Sequence, residues 1–173
     1  MPTEIDEKDL IFTFDDGFTP IRFDDDRTHG LSHVMKKIDF IVQSQLQTWL
    51  IEVKDPDNTK IPAAHVATNQ ASFRKKMRSG TLYSRELAPK LKDTLVYLAL
   101  AHRVPTNEIR YLVFLGVAKL DAAMLLTAQD RLKKLCFLPG PFQKPWVSGF
   151  NVMVFNMESW NRNLAPHSVR RKP

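Results

Sequence analysis

Cysteine is nearly absent from this 173-residue chain, and Cys136 stands alone. A single thiol excludes an internal disulfide and any zinc cluster built on cysteines, so a reducing cytoplasm is the expected compartment. Long apolar runs are missing too. The longest, near residues 95–101 and 111–118, fall far short of the roughly 20 residues that span a bilayer, so no membrane partner is expected. The acidic N-terminal stretch carries no basic-then-apolar signal pattern. A Gly-rich phosphate loop, a Gly-x-Ser-x-Gly elbow, internal repeats and low-complexity tracts are all lacking, which removes the usual scaffolds of nucleotide hydrolysis and serine hydrolysis.

What is present suits a globular chain: 43% of residues are hydrophobic and 25% charged, as expected for one folded domain over residues 1–173. The formal net charge of +6 hides an asymmetry. Residues 1–59 carry 6 basic and 13 acidic side chains, residues 60–110 carry 10 and 3, and residues 111–173 carry 9 and 3. Acid is therefore concentrated early, with basic segments beyond it.

Within the acidic part, two β-rich runs flank a short polar loop, Lys36-Lys37-Ile38-Asp39-Phe40-Ile41-Val42 and Trp49-Leu50-Ile51-Glu52-Val53-Lys54-Asp55. The pattern predicts a hairpin. Positions 39 and 52 are symmetrical about the Gln45–Leu46 bond, so a symmetrical loop sets Asp39 directly opposite Glu52, their Cβ atoms about 4.5–5.5 Å apart. Lys54 shares the Glu52 face by strand alternation. Ile38, Phe40 and Val42 then fall on the other face, opposite Val53, Ile51 and Trp49, forming an apolar side suited to a helix. A one-residue slip would send the carboxylates into the core. The loop has no Asn-Gly or similar pair, so four or five loop residues are expected.

Two close carboxylates repel unless a cation lies between them. Magnesium accepts one or two carboxylates, waters and phosphate oxygens, lowers the pKa of a bound water and neutralises developing phosphate charge; manganese could replace it. Lys54 could orient the water or stabilise charge in the transition state, and the backbone carbonyl of Val53 is a further candidate ligand. The other reading is an exposed charge ladder of Lys37, Asp39, Glu52 and Lys54.

Asp39, Glu52 and Lys54 match the signature of the PD-(D/E)XK nuclease superfamily, an Asp on one strand followed by Glu or Asp, any residue, and Lys on the next. The chain resembles that family over about residues 11–157, although only these three positions are diagnostic. The resemblance implies metal binding by Asp39 and Glu52, a catalytic Lys54, and a restriction-endonuclease-like α/β fold: a mixed sheet with a central hairpin followed by helix, strand, helix and strand, with helices on both faces.

Downstream patterning agrees with that order. Leu87, Leu91, Leu95, Leu98 and His102 recur at helical spacing, with Pro89 near the first turn. Ile109 to Val117 reads as a strand buried on both faces. Asp121 can cap a helix reaching about Cys136, and residues 150–157 read as a last strand. At the start the pattern departs from the family: residues 10–14 and 19–23 read as strands around Asp15-Asp16-Gly17 rather than as a helix bearing a further acid. Glu4, Glu7, Asp24, Asp25 and Asp26 all remain candidates for that acid. A Gln-x-x-x-Tyr motif found in some members is not matched, since Asp93 precedes Tyr97.

Nucleic acid, chiefly DNA, is the expected partner. Arg74, Lys75, Lys76 and Arg78 form the densest basic cluster, placed to contact phosphates, with a solvated helix face as the alternative. Cutting both strands of a duplex would usually take two copies, which allows for a homodimer. A non-catalytic nucleic-acid-binding or partner-binding domain on the same fold is the competing function. His29 and His33 have helical metal-ligand spacing but are separated by Gly30 and Ser32, and read as surface residues. Asp24-Asp25-Asp26 reads as a charged turn, and Arg170-Arg171-Lys172 as a frayed basic end. Trp49 and Trp160 read as packing residues, and Trp146 as the tryptophan placed to stack on something.

Overall fold

A computed structural model of the chain describes residues 1–25, 35–136, 146 and 148–173. Strands β1 (Thr3–Glu7) and β2 (Leu10–Phe14) pair antiparallel. A turn through Gly17, whose φ of 85° suits a residue without Cβ, leads to β3 (Thr19–Arg22). Strands β4 (Phe40–Gln43) and β5 (Gln47–Lys54) follow, then helix α1 (Ala63–Ser79). A π-helical segment (Leu82–Leu87) runs directly into α2 (Ala88–Leu100). Strand β6 (Glu108–Leu115), helix α3 (Ala122–Lys133), strand β7 (Phe150–Phe155), helix α4 (Met157–Asn163) and strand β8 (Ser168–Arg171) complete the order.

The protein is mixed α/β, with four helices among the described residues and a five-stranded mixed sheet ordered β3-β4-β5-β6-β7. Strands β3, β4 and β5 run antiparallel to one another, and β5, β6 and β7 run parallel. A smaller antiparallel sheet, β1-β2-β8, forms a second layer. Among the described residues, no helix is long and apolar enough to cross a membrane.

Strand alternation divides the core in two. On one face, Ile41, Leu50, Tyr111, Val113 and Leu115 pack beneath α1, α2 and α3 through Phe73, Leu91, Leu98, Leu125 and Leu132. On the other, Phe40, Val42, Trp49, Ile51 and Val53 meet Leu10, Phe12, Phe14 and Val169 of the small sheet and Trp160 of α4. The apolar side of the hairpin thus packs mainly against strands. Helices on both faces are only partly found, because one short helix shares the second face with a sheet.

The hairpin register agrees with the sequence pattern: Phe40 pairs with Ile51 and Val42 with Trp49, so the same count sets Asp39 opposite Glu52. Its loop is tighter than the four or five residues expected. The Ser44 N–H donates to the Gln47 carbonyl at 2.9 Å and the Ser44 hydroxyl accepts from the Gln47 N–H at 3.2 Å, leaving Gln45 and Leu46 at the tip. A serine hydroxyl closes the turn where glycine is lacking. Ile38 departs from the expected face and joins the helix-side core, because the chain bends at Asp39 and strand alternation ends there.

The basic C-terminal residues are not frayed. Strand β8 pairs with β2, and the Arg171 guanidinium reaches Asp9 at 2.8 Å and Asp55 at 2.9 Å. Trp146 stacks on Phe150, with ring centroids 5.5 Å apart, and packs against the core. Asp26, His29, His33 and the proline-rich loop at 137–145 lie outside the described residues.

Candidate active site

Asp39 is fixed by the backbone around it. Its N–H donates to the Ile51 carbonyl at 3.0 Å, its carbonyl accepts from the Phe23 N–H at 2.8 Å, and its Oδ2 accepts from the Val53 N–H at 2.6 Å. Val53 borders the cleft, yet its side chain is buried between the two sheets. Glu52 lies on the helix-covered face and is wholly buried, at 0% exposure, while Asp39 is 7% exposed. These values exclude an exposed ladder.

A residue from a distant element occupies the space between the acids. Lys90, in the first turn of α2, brings Nζ to 2.8 Å from Glu52 Oε2, 2.7 Å from Glu52 Oε1 and 3.6 Å from Asp39 Oδ1. Lys54 Nζ lies 3.2 Å from Glu52 Oε1 and 3.2 Å from Glu86 Oε2, and Glu86 pairs with Lys76 at 2.8 Å. Charges therefore alternate along the cleft, from Asp39 through Lys90, Glu52, Lys54 and Glu86 to Lys76. Glu52 Oε1 thus lies between two ammonium groups, Lys90 at 2.7 Å and Lys54 at 3.2 Å.

Burial, with the neighbouring Asp39 charge second, pushes the Glu52 carboxyl up to about 8. The Asp39 carboxyl is also raised, chiefly by burial, against the pull of Lys90 and the Val53 N–H. Burial opposes charge on Lys90, but Glu52 and Asp39 outweigh it and raise the ammonium above its ordinary value. For the coupled pair, the direction follows from desolvation: an ionised Glu52 is costly here, and a cation beside it is held firmly.

Of the candidate further acids, Glu7 and Asp24 both act electrostatically on Asp39. Glu7 borders the cleft, but its Oε2 is engaged by Arg22 at 2.8 Å. Asp24 also pairs with Arg22, at 3.5 Å, and Glu4 faces Thr13 and Arg170 on the small sheet. Among the described residues, no group of three or more His, Cys, Asp and Glu side chains could hold a metal ion. The donor pair Asp39 and Glu52 has the chemistry of a hard-cation site that needs only one or two protein carboxylates, and a cation there would take the place of the Lys90 ammonium.

The basic cluster on α1 is divided by the helical turn. Lys76 faces the cleft, Arg74 and Arg78 border a different cavity, and Lys75 is exposed. Lys90 and Glu86 are the site residues that sequence patterning missed. The available signal was weak, a lysine directly after Pro89 in a helix's first turn, where cations are least favoured. The cleft encloses about 330 Å³ and also includes Asn69 and Ser72 of α1. No protein family, curated protein or solved structure matches the chain.

Proposed function

We propose that this chain is a magnesium-dependent nuclease that hydrolyses phosphodiester bonds, with DNA as its main substrate. One observation carries the reading: Asp39 and Glu52 are buried side by side at adjoining strand ends, with Lys54 against Glu52, in a cleft that Lys76 of α1 also borders. The strand arrangement supports it, since an antiparallel β3-β4-β5 unit continued by parallel β6 and β7 accords with a restriction-endonuclease-like core.

Asp39 and Glu52 would hold the magnesium ion, which when bound supplies charge neutralisation and a water of lowered pKa. The protein's own residues do the rest. Lys54 orients the attacking water and offsets charge growing on the phosphate. Glu86 holds the Lys54 and Lys76 ammoniums in place, and Lys76 is placed to meet a flanking phosphate.

The test incubates supercoiled plasmid, linear duplex, single-stranded DNA and RNA with the protein in magnesium or manganese, beside Lys54→Ala and Asp39→Asn. Metal-dependent cleavage lost in both variants is expected; cleavage surviving in both would sink the assignment. A second reading, a non-catalytic nucleic-acid-binding domain, is favoured by Lys90, whose ammonium already neutralises the acid pair. Salt-dependent DNA binding without manganese binding or cleavage would select it.

A further inference from the structure

On the far side of α1 from the cleft, a cavity of about 540 Å³ opens between α1, the π-helical segment and the start of α3. It shares no lining residue with the cleft. Residues 74 and 78 stand one helical turn apart, and residue 76 lies about 200° round the axis from each, so one helix serves both openings.

Three guanidinium groups, from Arg74, Arg78 and Arg131, border this cavity against a single carboxylate, Asp121. That carboxylate is engaged, because Asp121 Oδ1 accepts from the Met124 N–H at 2.8 Å as the cap of α3. Two of the arginines are pinned by backbone. Arg74 Nη2 donates to the Ala118 carbonyl at 2.8 Å, and Arg131 Nη1 donates to the Met77 and Arg78 carbonyls at 3.1 Å each. Most of their N–H donors remain for a ligand.

Tyr83 adds an independent sign. It borders the cavity, and its side chain is only 3% exposed. A phenolic hydroxyl on the cavity wall can donate to a ligand oxygen. Arg131 is close enough to act electrostatically on that hydroxyl. The remaining wall, Thr127 apart, is apolar and includes Met77, Leu120 and Met124, the last 47% exposed.

We propose that this cavity binds a nucleotide through its terminal phosphate, with the arginines and Tyr83 on the phosphate and the methionines against the base. One carboxylate ligand would need one guanidinium; three cations around one capped acid match a phosphomonoester, whose charge is about −1.5 to −2. Planar guanidiniums suit its oxygens, and thioether sulfur packs well on aromatic rings. The volume lies within the range of about 300–1,000 Å³ typical of small-ligand sites. The assignment does not depend on the chemistry of the cleft.

Calorimetric titration in EDTA tests it, with adenosine 5′-monophosphate, adenosine, inorganic phosphate, phenyl phosphate, and an oligodeoxynucleotide with and without a 5′-phosphate. The expected result is binding of the monophosphate or the phosphorylated strand, at least about tenfold tighter than adenosine, phosphate or phenyl phosphate. Preference for the phosphorylated strand over the free nucleotide would identify strand ends as the source. Arg78→Ala, at an exposed position, should weaken binding about fivefold or more, and Tyr83→Phe about threefold, with unchanged thermal unfolding, while Asp39→Asn has no effect. Inorganic or phenyl phosphate binding as tightly as the nucleotide would overturn the proposal. So would an absence of binding, or binding that survives Arg78→Ala and Tyr83→Phe but is lost in Asp39→Asn.

Discussion

Lys90 holds Glu52 from a helix 38 residues along the chain, its Nζ within 2.8 Å of both carboxylate oxygens. One ammonium thus offsets two buried acids, since Asp39 lies 3.6 Å away. Removing one partner of such a group leaves an uncompensated buried charge, which typically costs about 3–5 kcal/mol. Lys90→Gln should therefore lower stability by about 3 kcal/mol above pH 8, where Glu52 is ionised, read from urea unfolding in EDTA. Millimolar manganese should recover part of the loss, and the variant should bind manganese more tightly than the parent because no ammonium competes. Equal stability with and without Lys90 would rule out this role.

Glu52 sets a pH dependence. Its carboxyl lies near 8 in the folded protein against an ordinary 4.5, so between those values the folded state holds a proton that the unfolded state has released. Stability then falls as pH rises through this window, by at most about 1.4 kcal/mol per pH unit for one group. Lys90 does not cancel the slope, because its raised value affects stability only above its ordinary 10.5. Urea midpoints from pH 5 to pH 8 should fall more steeply for the parent than for Glu52→Gln; parallel slopes would contradict the assignment.

Protons and metal compete for the same oxygens. Apparent manganese affinity should rise with pH up to about 8, by as much as tenfold per unit, and then level off. Isothermal titration at several pH values measures this directly, and an affinity independent of pH would place binding elsewhere.

Gly116 leaves no room for a side chain. A Cβ there would lie 2.4 Å from Asp55 Oδ1, and Asp55 is one of the two acids that Arg171 holds. Gly116→Ala should cost about 1–3 kcal/mol through overpacking, and Arg171→Ala about 3 kcal/mol through unpaired acids. Because both act on Asp55, the double variant should lose less than the sum in thermal unfolding. Strict additivity would show the two effects to be independent.

The facing of Asp39 and Glu52 was legible in the sequence, because alternating apolar residues on both strands leave one parity that buries Phe40, Val42, Trp49 and Ile51 together. The same alternation failed at Ile38, one residue beyond the bend. Lys90 was hidden because helical periodicity marks the apolar stripe through Leu91 and Leu98 and says nothing of where the polar side ends up. Strand β8 was hidden for a related reason. Its Ser-Val-Arg-Arg sequence buries only Val169, and its charged residues make sense only with Glu4, Asp9 and Asp55 brought from elsewhere in the chain.

Phe73 is the only buried residue of α1, a helix of 17 residues that borders both the carboxylate cleft and the arginine cavity. A helix held by one buried apolar anchor, the partly buried Met77 and a few polar contacts has a low free energy of local opening. Its amides should exchange with deuterium orders of magnitude faster than those of β5 and β6, and should slow when either opening is filled. Opening of α1, which forms one rim of the cleft, would then set how fast a ligand reaches the acid pair.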